Sequence, residues 1–227
     1  MINPFDQLRQ HARARPDAVA VVTPYRIASY RKMWSRIERS TARLQAEWAI
    51  RPGDTIAYFG CGHLDALVTY FAAARCGARL LPLEHPALQQ AAIGLLRASG
   101  AILVLYDDAL QFDEQALGVP CKPLSSLIAT ACRYRETVLE DAAAISLLEF
   151  SGEDDPLETP RQRSLETLAS SSLACPAGRP VVAAALFDAG IFAPVVLATL
   201  LAGDVLTFDA GGAANAGQAP TPRPMKD

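Results

Sequence analysis

The chain has 227 residues, 51% of them apolar, and a formal net charge of −3 at pH 7. That suits one large domain or two small ones with a sizeable core, and it argues against a general nucleic-acid binder. No apolar run approaches a membrane span, and Asp6 and Arg9 interrupt the N-terminus where a signal peptide would be apolar. The five cysteines, at positions 61, 76, 121, 132 and 175, are irregularly spaced and form no C-x-x-C pair. They argue against a disulfide scaffold or zinc ribbon, and the expectation is a reduced, cytoplasmic protein. Of the 21 basic residues only three are lysines, Lys32, Lys122 and Lys226, which leaves few for chemistry that needs one.

In chain order, residues 1–17 read as a short helix closed by Pro16. Ala18–Thr23 reads as a strand that turns through Pro24-Tyr25-Arg26 into Ile27–Ser29, making a hairpin. Ser29 is a good N-cap for a long helix reaching Trp48, with Met33, Ile37, Thr41, Leu44 and Trp48 on one face. After a turn at Arg51-Pro52-Gly53-Asp54, Thr55–Phe59 is a buried strand and His63–Arg75 an apolar-striped helix ended by Gly77. A strand over Arg79–Leu83, a helix over Pro86–Ala98, a strand over Ala101–Tyr106 and a short helix over Ala109–Ala116 follow. Residues 118–140 have no regular pattern. Ala142–Phe150 is a strand, then comes a polar, acidic loop. Ser164–Leu173 reads as a helix, Pro180–Phe187 as a strand, Ile191–Leu201 as a helix and Asp204–Phe208 as the last strand.

From Ala210 onward Gly, Ala, Pro, Thr and Asn dominate, so 1–209 is expected to be one domain and 210–227 a disordered tail. Alternating strands and helices predict an α/β fold with a layered, largely parallel sheet flanked by helices. Such sheets bind ligands at the carboxyl ends of their strands.

Several pieces, in order, resemble a known family. Ile27-Ala28-Ser29-Tyr30 stands where that family commonly has Thr-Tyr, and Arg51-Pro52-Gly53-Asp54 resembles its P-G-D. Phe71–Ala78 followed by Leu81-Pro82-Leu83 resembles its A-x-x-x-x-G-A and P-L. Over about residues 5–208 the chain resembles the N-terminal portion of the adenylate-forming superfamily, the acyl- and aryl-CoA synthetases and peptide-synthetase adenylation domains. The resemblance implies the N-terminal subdomain fold of AMP-binding ligases and a phosphate loop reading T-S-G-T-T-G-x-P-K-G after a strand. Such a loop cradles phosphates with backbone N–H groups, hydroxyls and one Lys.

The aligned stretch here runs from Phe150 to Thr159, and only Ser151 and Gly152 match. Glu153 and Asp154 replace the threonines, Asp155 the second glycine, and Glu158 the lysine. A unit charge ~6 Å away is worth roughly 3 kcal/mol at an effective dielectric near 20, and Lys to Glu reverses its sign. A triphosphate is not expected there, and consecutive carboxylates before Pro156 lack calcium-loop spacing. A second landmark, an aromatic-His pair near the acyl pocket, reads Phe187-Asp188. The family's adenine, ribose, hinge and catalytic-lysine segments fall downstream, and Lys226 matches none of them.

No catalytic residue, metal site or cofactor is therefore expected. Cys61-Gly62-His63 cannot complete a zinc site by itself, and no nucleophile elbow or Walker loop is present. Residues 1–51 carry a net +6 and residues 107–158 a net −9. Lys32, Arg36, Arg39 and Arg43 recur at helical spacing and would suit an acidic partner such as a carrier protein. The expected role is a non-catalytic, protein-binding accessory or regulatory relative of the ligases, in acyl or polyketide metabolism. One alternative is half of a split ligase, binding ATP and Mg²⁺ only when a ligase-like chain completes it. Another is an acyl or aryl binding module with a pocket lined by the Phe187–Leu201 region. Self-association through exposed apolar surface is also expected, with no nucleic-acid or membrane partner.

Overall fold

The computed structural model describes residues 3–110, 113–128, 140–149, 160–171, 180–182 and 185–209. Of the acidic loop expected at 151–163, residues 151–159 lie outside the described residues, as does the tail expected at 210–227, while Arg161–Arg163 are strand rather than loop. Helix α1 (Pro4–Ala14) starts from Asn3, whose side chain accepts the Phe5 amide. Strands β1 (Val19–Thr23) and β2 (Arg26–Ser29) form the expected antiparallel hairpin. Ser29 caps α2 (Tyr30–Ala46) by accepting the Lys32 amide at 3.3 Å, and Met33, Ile37, Thr41 and Leu44 are buried along it. Then β3 (Thr55–Phe59), α3 (Leu64–Arg75) and β4 (Arg79–Leu83) stand where the pattern predicts them.

The helix expected over Pro86–Ala98 is two, α4 (Pro86–Gln90) and α5 (Ala92–Ser99), because Ala91 leaves the helical range at ψ 4°. β5 (Ala101–Tyr106) is as expected. The helix expected at Ala109–Ala116 is instead the single turn α6 (Glu114–Leu117). The Asp113 carboxylate accepts the Gln115 and Ala116 amides and sets the start after itself. The patternless region holds β6 (Cys121–Pro123) and α7 (Leu124–Ile128).

β7 (Ile145–Glu149) pairs antiparallel with β8 (Arg161–Ser164), and α8 (Leu165–Ser171) follows. β8 has no apolar alternation; its pairing with β7, not its own pattern, makes it a strand. Of the strand expected over Pro180–Phe187, β9 (Val181–Val182) is present, and Ala185–Phe187 is not strand. The last helix begins as a π-helical turn over Phe192–Leu197. Pro194 has no N–H to give, and the Val196 N–H reaches back to the Ile191 carbonyl at 3.1 Å. α9 (Ala198–Ala202) and β10 (Leu206–Phe208) complete the described chain.

The strands form two sheets, ordered β2-β1-β10-β9 and β6-β5-β3-β4-β7-β8. Except for the β1–β2 and β7–β8 pairs, neighbours are parallel. In β3, Ile56 and Tyr58 join one core with α2, α3 and the smaller sheet, while Ala57 and Phe59 join a second core under α5. Both faces of the larger sheet are thus covered, which is why β3 is buried at every position rather than alternating.

Every residue of α3 except Asp65 is buried, so this helix is the centre of the layered stack. Its last residue, Arg75, is only 2% exposed. The guanidinium donates to Glu140 Oε1 from Nε at 3.1 Å and Nη2 at 2.9 Å, and stacks 4.9 Å from the Trp34 ring centroid. Arg9 of α1 donates to the same Oε1 and lies 5.2 Å from the same ring. Asn3 donates to the Glu140 carbonyl at 3.1 Å, and Glu140 itself is held at φ 43°. Burial opposes ionisation of Glu140, but hydrogen bonds and charge from Arg9 and Arg75 outweigh it and hold its carboxyl below the usual range.

Glu140→Gln removes the charge of the carboxylate that buried Arg75 shares with Arg9. It is expected to cost about 3 kcal/mol in urea denaturation, and to lower Tm by roughly 6–12 °C. A loss under ~1 kcal/mol would show the clamp to be dispensable. The depressed carboxyl contributes its stability above the ordinary glutamate value of ~4.3, and loses it as pH falls through the folded value. The stability gap between wild type and Glu140→Gln is therefore expected to narrow steadily on acidification below about pH 4.5, as read by urea midpoints.

Candidate functional site

The carboxyl ends of β3, β4, β5 and β7 lie side by side, and this is the edge at which α/β sheets take ligands. Asp107, just past β5, is its hub. The Tyr58 hydroxyl donates into its carboxylate, 2.8 and 2.9 Å from the two oxygens. The Cys61 amide donates to Oδ2 at 2.9 Å, and His63 Nε2 lies 2.8 Å from Oδ1. The Gly62 amide donates to the Tyr58 oxygen at 3.2 Å. The loop after β3 is thus tied to the end of β5.

The loop needs its two glycines. A Cβ on Gly60 would fall 2.2 Å from the Tyr58 oxygen and 2.4 Å from Asp107 Oδ2. Gly62 has φ +65°, and a Cβ there would fall 2.3 Å from Glu84 Oε1. Glu84, just past β4, accepts the Phe187 amide at 2.8 Å on Oε2, while Oε1 is buried with no hydrogen-bond partner among the described residues. Burial pushes its carboxyl up to about 8, and Asp107 pushes the same way. Burial and Asp107 likewise raise Tyr58.

His63 Nδ1 accepts the Asp65 amide at 3.1 Å, which places the neutral ring's proton on Nε2, toward Asp107. Burial, Asp107 and Glu84 raise the Cys61 thiol, so it is not a ready thiolate, and both His63 nitrogens are engaged elsewhere. Among the described residues no three His, Cys, Asp or Glu side chains are grouped to hold a metal. The cluster can hold and share protons; it offers no activated nucleophile.

Beside it, Pro24 and Tyr25 of the hairpin turn, Arg26 of β2, Cys61 and His63 of the loop, and Phe208 line a cavity of about 250 Å³. Tyr25 is 88% exposed at its lip. Neither the cavity nor the Asp107–Glu84 pair stands out in the sequence. The signals are the spaced glycines after β3 and acids directly following β4 and β5.

Ser151 and Gly152 lie outside the described residues. The strands flanking them are described, and Glu149 pairs with Arg161 in the ladder. Glu149 is buried; burial and Asp188 raise its carboxyl, while Arg163 and Arg161 pull it down, with a net rise. Asp188 is exposed, and its side chain accepts the Gly190 amide at 2.8 Å.

Much of the Phe187–Leu201 stretch, expected to line a pocket, is buried in the core, while Ile191, Pro194 and Val195 are half-buried. Phe187 and Phe192 lie 5.9 and 4.8 Å from Tyr70, and Ala193, Val196, Leu197 and Leu200 are buried. The cationic stripe on α2 also needs correction. Lys32 is exposed, Arg36 pairs with Asp65 at 3.3 Å, and Arg39 Nε donates to the Ser35 carbonyl at 3.2 Å. Arg43 is 5% exposed, donating to the Ser126 carbonyl and to Glu47 at 3.1 Å, because α7 packs over that end of the helix.

No described helix is long and apolar enough to cross a membrane. Comparison with known proteins places this geometry. The family described as "AMP-binding enzyme" matches residues 8–174. Phosphinothricin tripeptide synthetase PhsC of Streptomyces viridochromogenes is 35% identical over 103 residues, 45% of this chain and 9% of that protein. The D-alanine--D-alanyl carrier protein ligase of Bacillus licheniformis is 24% identical over 111 residues, 48% of this chain and 22% of the ligase.

Among solved structures, o-succinylbenzoate CoA synthetase (MenE) of Bacillus subtilis superimposes with a TM-score of 0.73 at 17% identity, covering 89% of this chain and 43% of the synthetase. The N-terminal subdomain of Klebsiella oxytoca NpsA superimposes with a TM-score of 0.72 at 20% identity, covering 90% of this chain and 54% of that one. The chain therefore spans under a quarter of these curated relatives and about half of the structural neighbours. With the family matched over most of the chain and the fold of its N-terminal subdomain reproduced, the protein belongs to the AMP-binding enzyme family, the adenylate-forming superfamily.

Proposed function

We propose that this chain is a non-catalytic relative of the acyl- and aryl-adenylate-forming ligases, acting as a protein-binding accessory in acyl or polyketide metabolism. The observation that carries the reading is the reversed charge of the phosphate-loop positions. Glu153, Asp154, Asp155 and Glu158 stand where the resemblance puts two hydroxyls, a glycine and a lysine. The described flanks add to this. Glu149 ends the preceding strand, and Asp188 acts on it electrostatically, from the position given to histidine by the resemblance.

A like charge ~6 Å from a phosphate costs roughly 3 kcal/mol at an effective dielectric near 20, before screening. At ~1.4 kcal/mol per decade of affinity, even a fraction of that, repeated over several carboxylates, removes ordinary nucleotide binding. A partner completing a split ligase would meet the same carboxylates. The packing of Phe187 and Phe192 against Tyr70 weighs against an acyl or aryl binding module.

Carboxylate-dependent exchange of pyrophosphate into ATP tests the reading. Across fatty, aryl and amino acids, exchange is expected to stay at the no-enzyme background. Turnover above background with any acid would overturn it. For the binding role, purification from the native source at low salt is expected to retain a stoichiometric partner; a bare chain under those conditions would contradict it.

A further inference from the structure

The His63 ring holds two contacts that only one protonation state permits together. Nδ1 accepts the Asp65 amide at 3.1 Å and so caps α3, and Nε2 donates toward Asp107 Oδ1 at 2.8 Å. The neutral ring protonated at Nε2 satisfies both. A further proton enters at Nδ1, and an N–H there cannot accept from Asp65. The ring is 39% exposed, so solvent can deliver that proton.

We propose that His63 is a proton-operated latch: taking up a proton at Nδ1 exchanges the α3 cap for an ion pair with Asp107 and so resets the wall of the cavity beneath the β1–β2 hairpin. The wall is continuous with the latch, because Cys61, Gly62, His63, Leu64 and Asp65 all line that cavity. The latch is independent of nucleotide binding and stands whether or not the chain has a catalytic role.

The groups around the ring set the direction. Asp107 faces it from the end of β5, Glu84 from the end of β4, Asp65 from α3 and Arg26 from β2. Tyr58 and Cys61 share its hydrogen-bond network from β3 and its loop, and Arg36 of α2 reaches Asp65. Burial opposes the charged ring, and so does Arg26, but the hydrogen bond and charge of Asp107, with Asp65, outweigh them and raise His63. The folded ring thus holds its proton more tightly than the unfolded chain does. The stabilisation is complete below the ordinary histidine value and fades as pH rises through the folded value. Glu84, which titrates near 8, faces the same network, so the two titrations are coupled.

A proton–nitrogen NMR titration of the full chain from about pH 5 to 9 tests the latch. The Asp65 amide resonance is expected to move in step with the His63 ring, with a midpoint above ~6.5. On the acid side its protection from hydrogen exchange should fall several-fold. Asp107→Asn is expected to lower the midpoint, and Glu84→Gln to leave the Asp65 step in place. His63→Asn, which keeps a capping side chain without a titrating ring, should abolish the step. An Asp65 amide that ignores the ring, or a step that survives His63→Asn, would overturn the proposal. The wild-type titration decides alone if a variant fails to fold.

Discussion

A guanidinium at the end of an all-round apolar helix has to find a carboxylate, and much of this structure is arranged around that requirement. α3 carries the core on every side, so Arg75 is trapped in the interior. Glu140 answers it, with Arg9 sharing the same oxygen and Trp34 lying against both guanidinium groups. One carboxylate thereby joins α1, α2 and α3 to the chain segment leading into β7. A buried pair of this kind is costly to break and of small net gain to form. Its consequence is register: it fixes where the polypeptide re-enters the larger sheet.

The functional edge depends on a second economy of carboxylates. Asp107 collects a phenol, a backbone amide and an imidazole, and Glu84 collects a backbone amide across from it. Two glycines let these side chains approach the backbone of the loop. The carboxyl ends of three parallel strands are thus occupied by hydrogen bonds internal to the protein. Beside them, among the described residues, a small cavity lies open under the hairpin.

The parts of the fold legible in the sequence are those where local pattern and tertiary role agree. Ser29 is a capping residue and caps; Thr55–Phe59 and Leu64–Arg75 are apolar runs and are buried. The failures have tertiary causes. Arg161–Ser164 is polar and becomes a strand through its partner β7, and Pro194 widens a helical turn that periodicity alone reads as ordinary. The cationic stripe on α2 fits helical spacing, yet spacing does not reveal that α7 buries Arg43. The site hub was illegible because Tyr58, Glu84 and Asp107 come from three separate strand ends, and only the parallel sheet brings them together.

The fold of an adenylate-forming ligase subdomain, and carboxylates where the resemblance puts a phosphate loop, make opposite demands on a nucleotide. Calorimetric titration of the purified chain with Mg-ATP, alone and with a mixture of fatty and aryl acids, sets them against each other directly. No saturable heat in either condition is the expected result. Saturable binding of ATP would contradict the account, and would mean that the carboxylates at 153–158 coordinate the nucleotide through its metal rather than repel its phosphates.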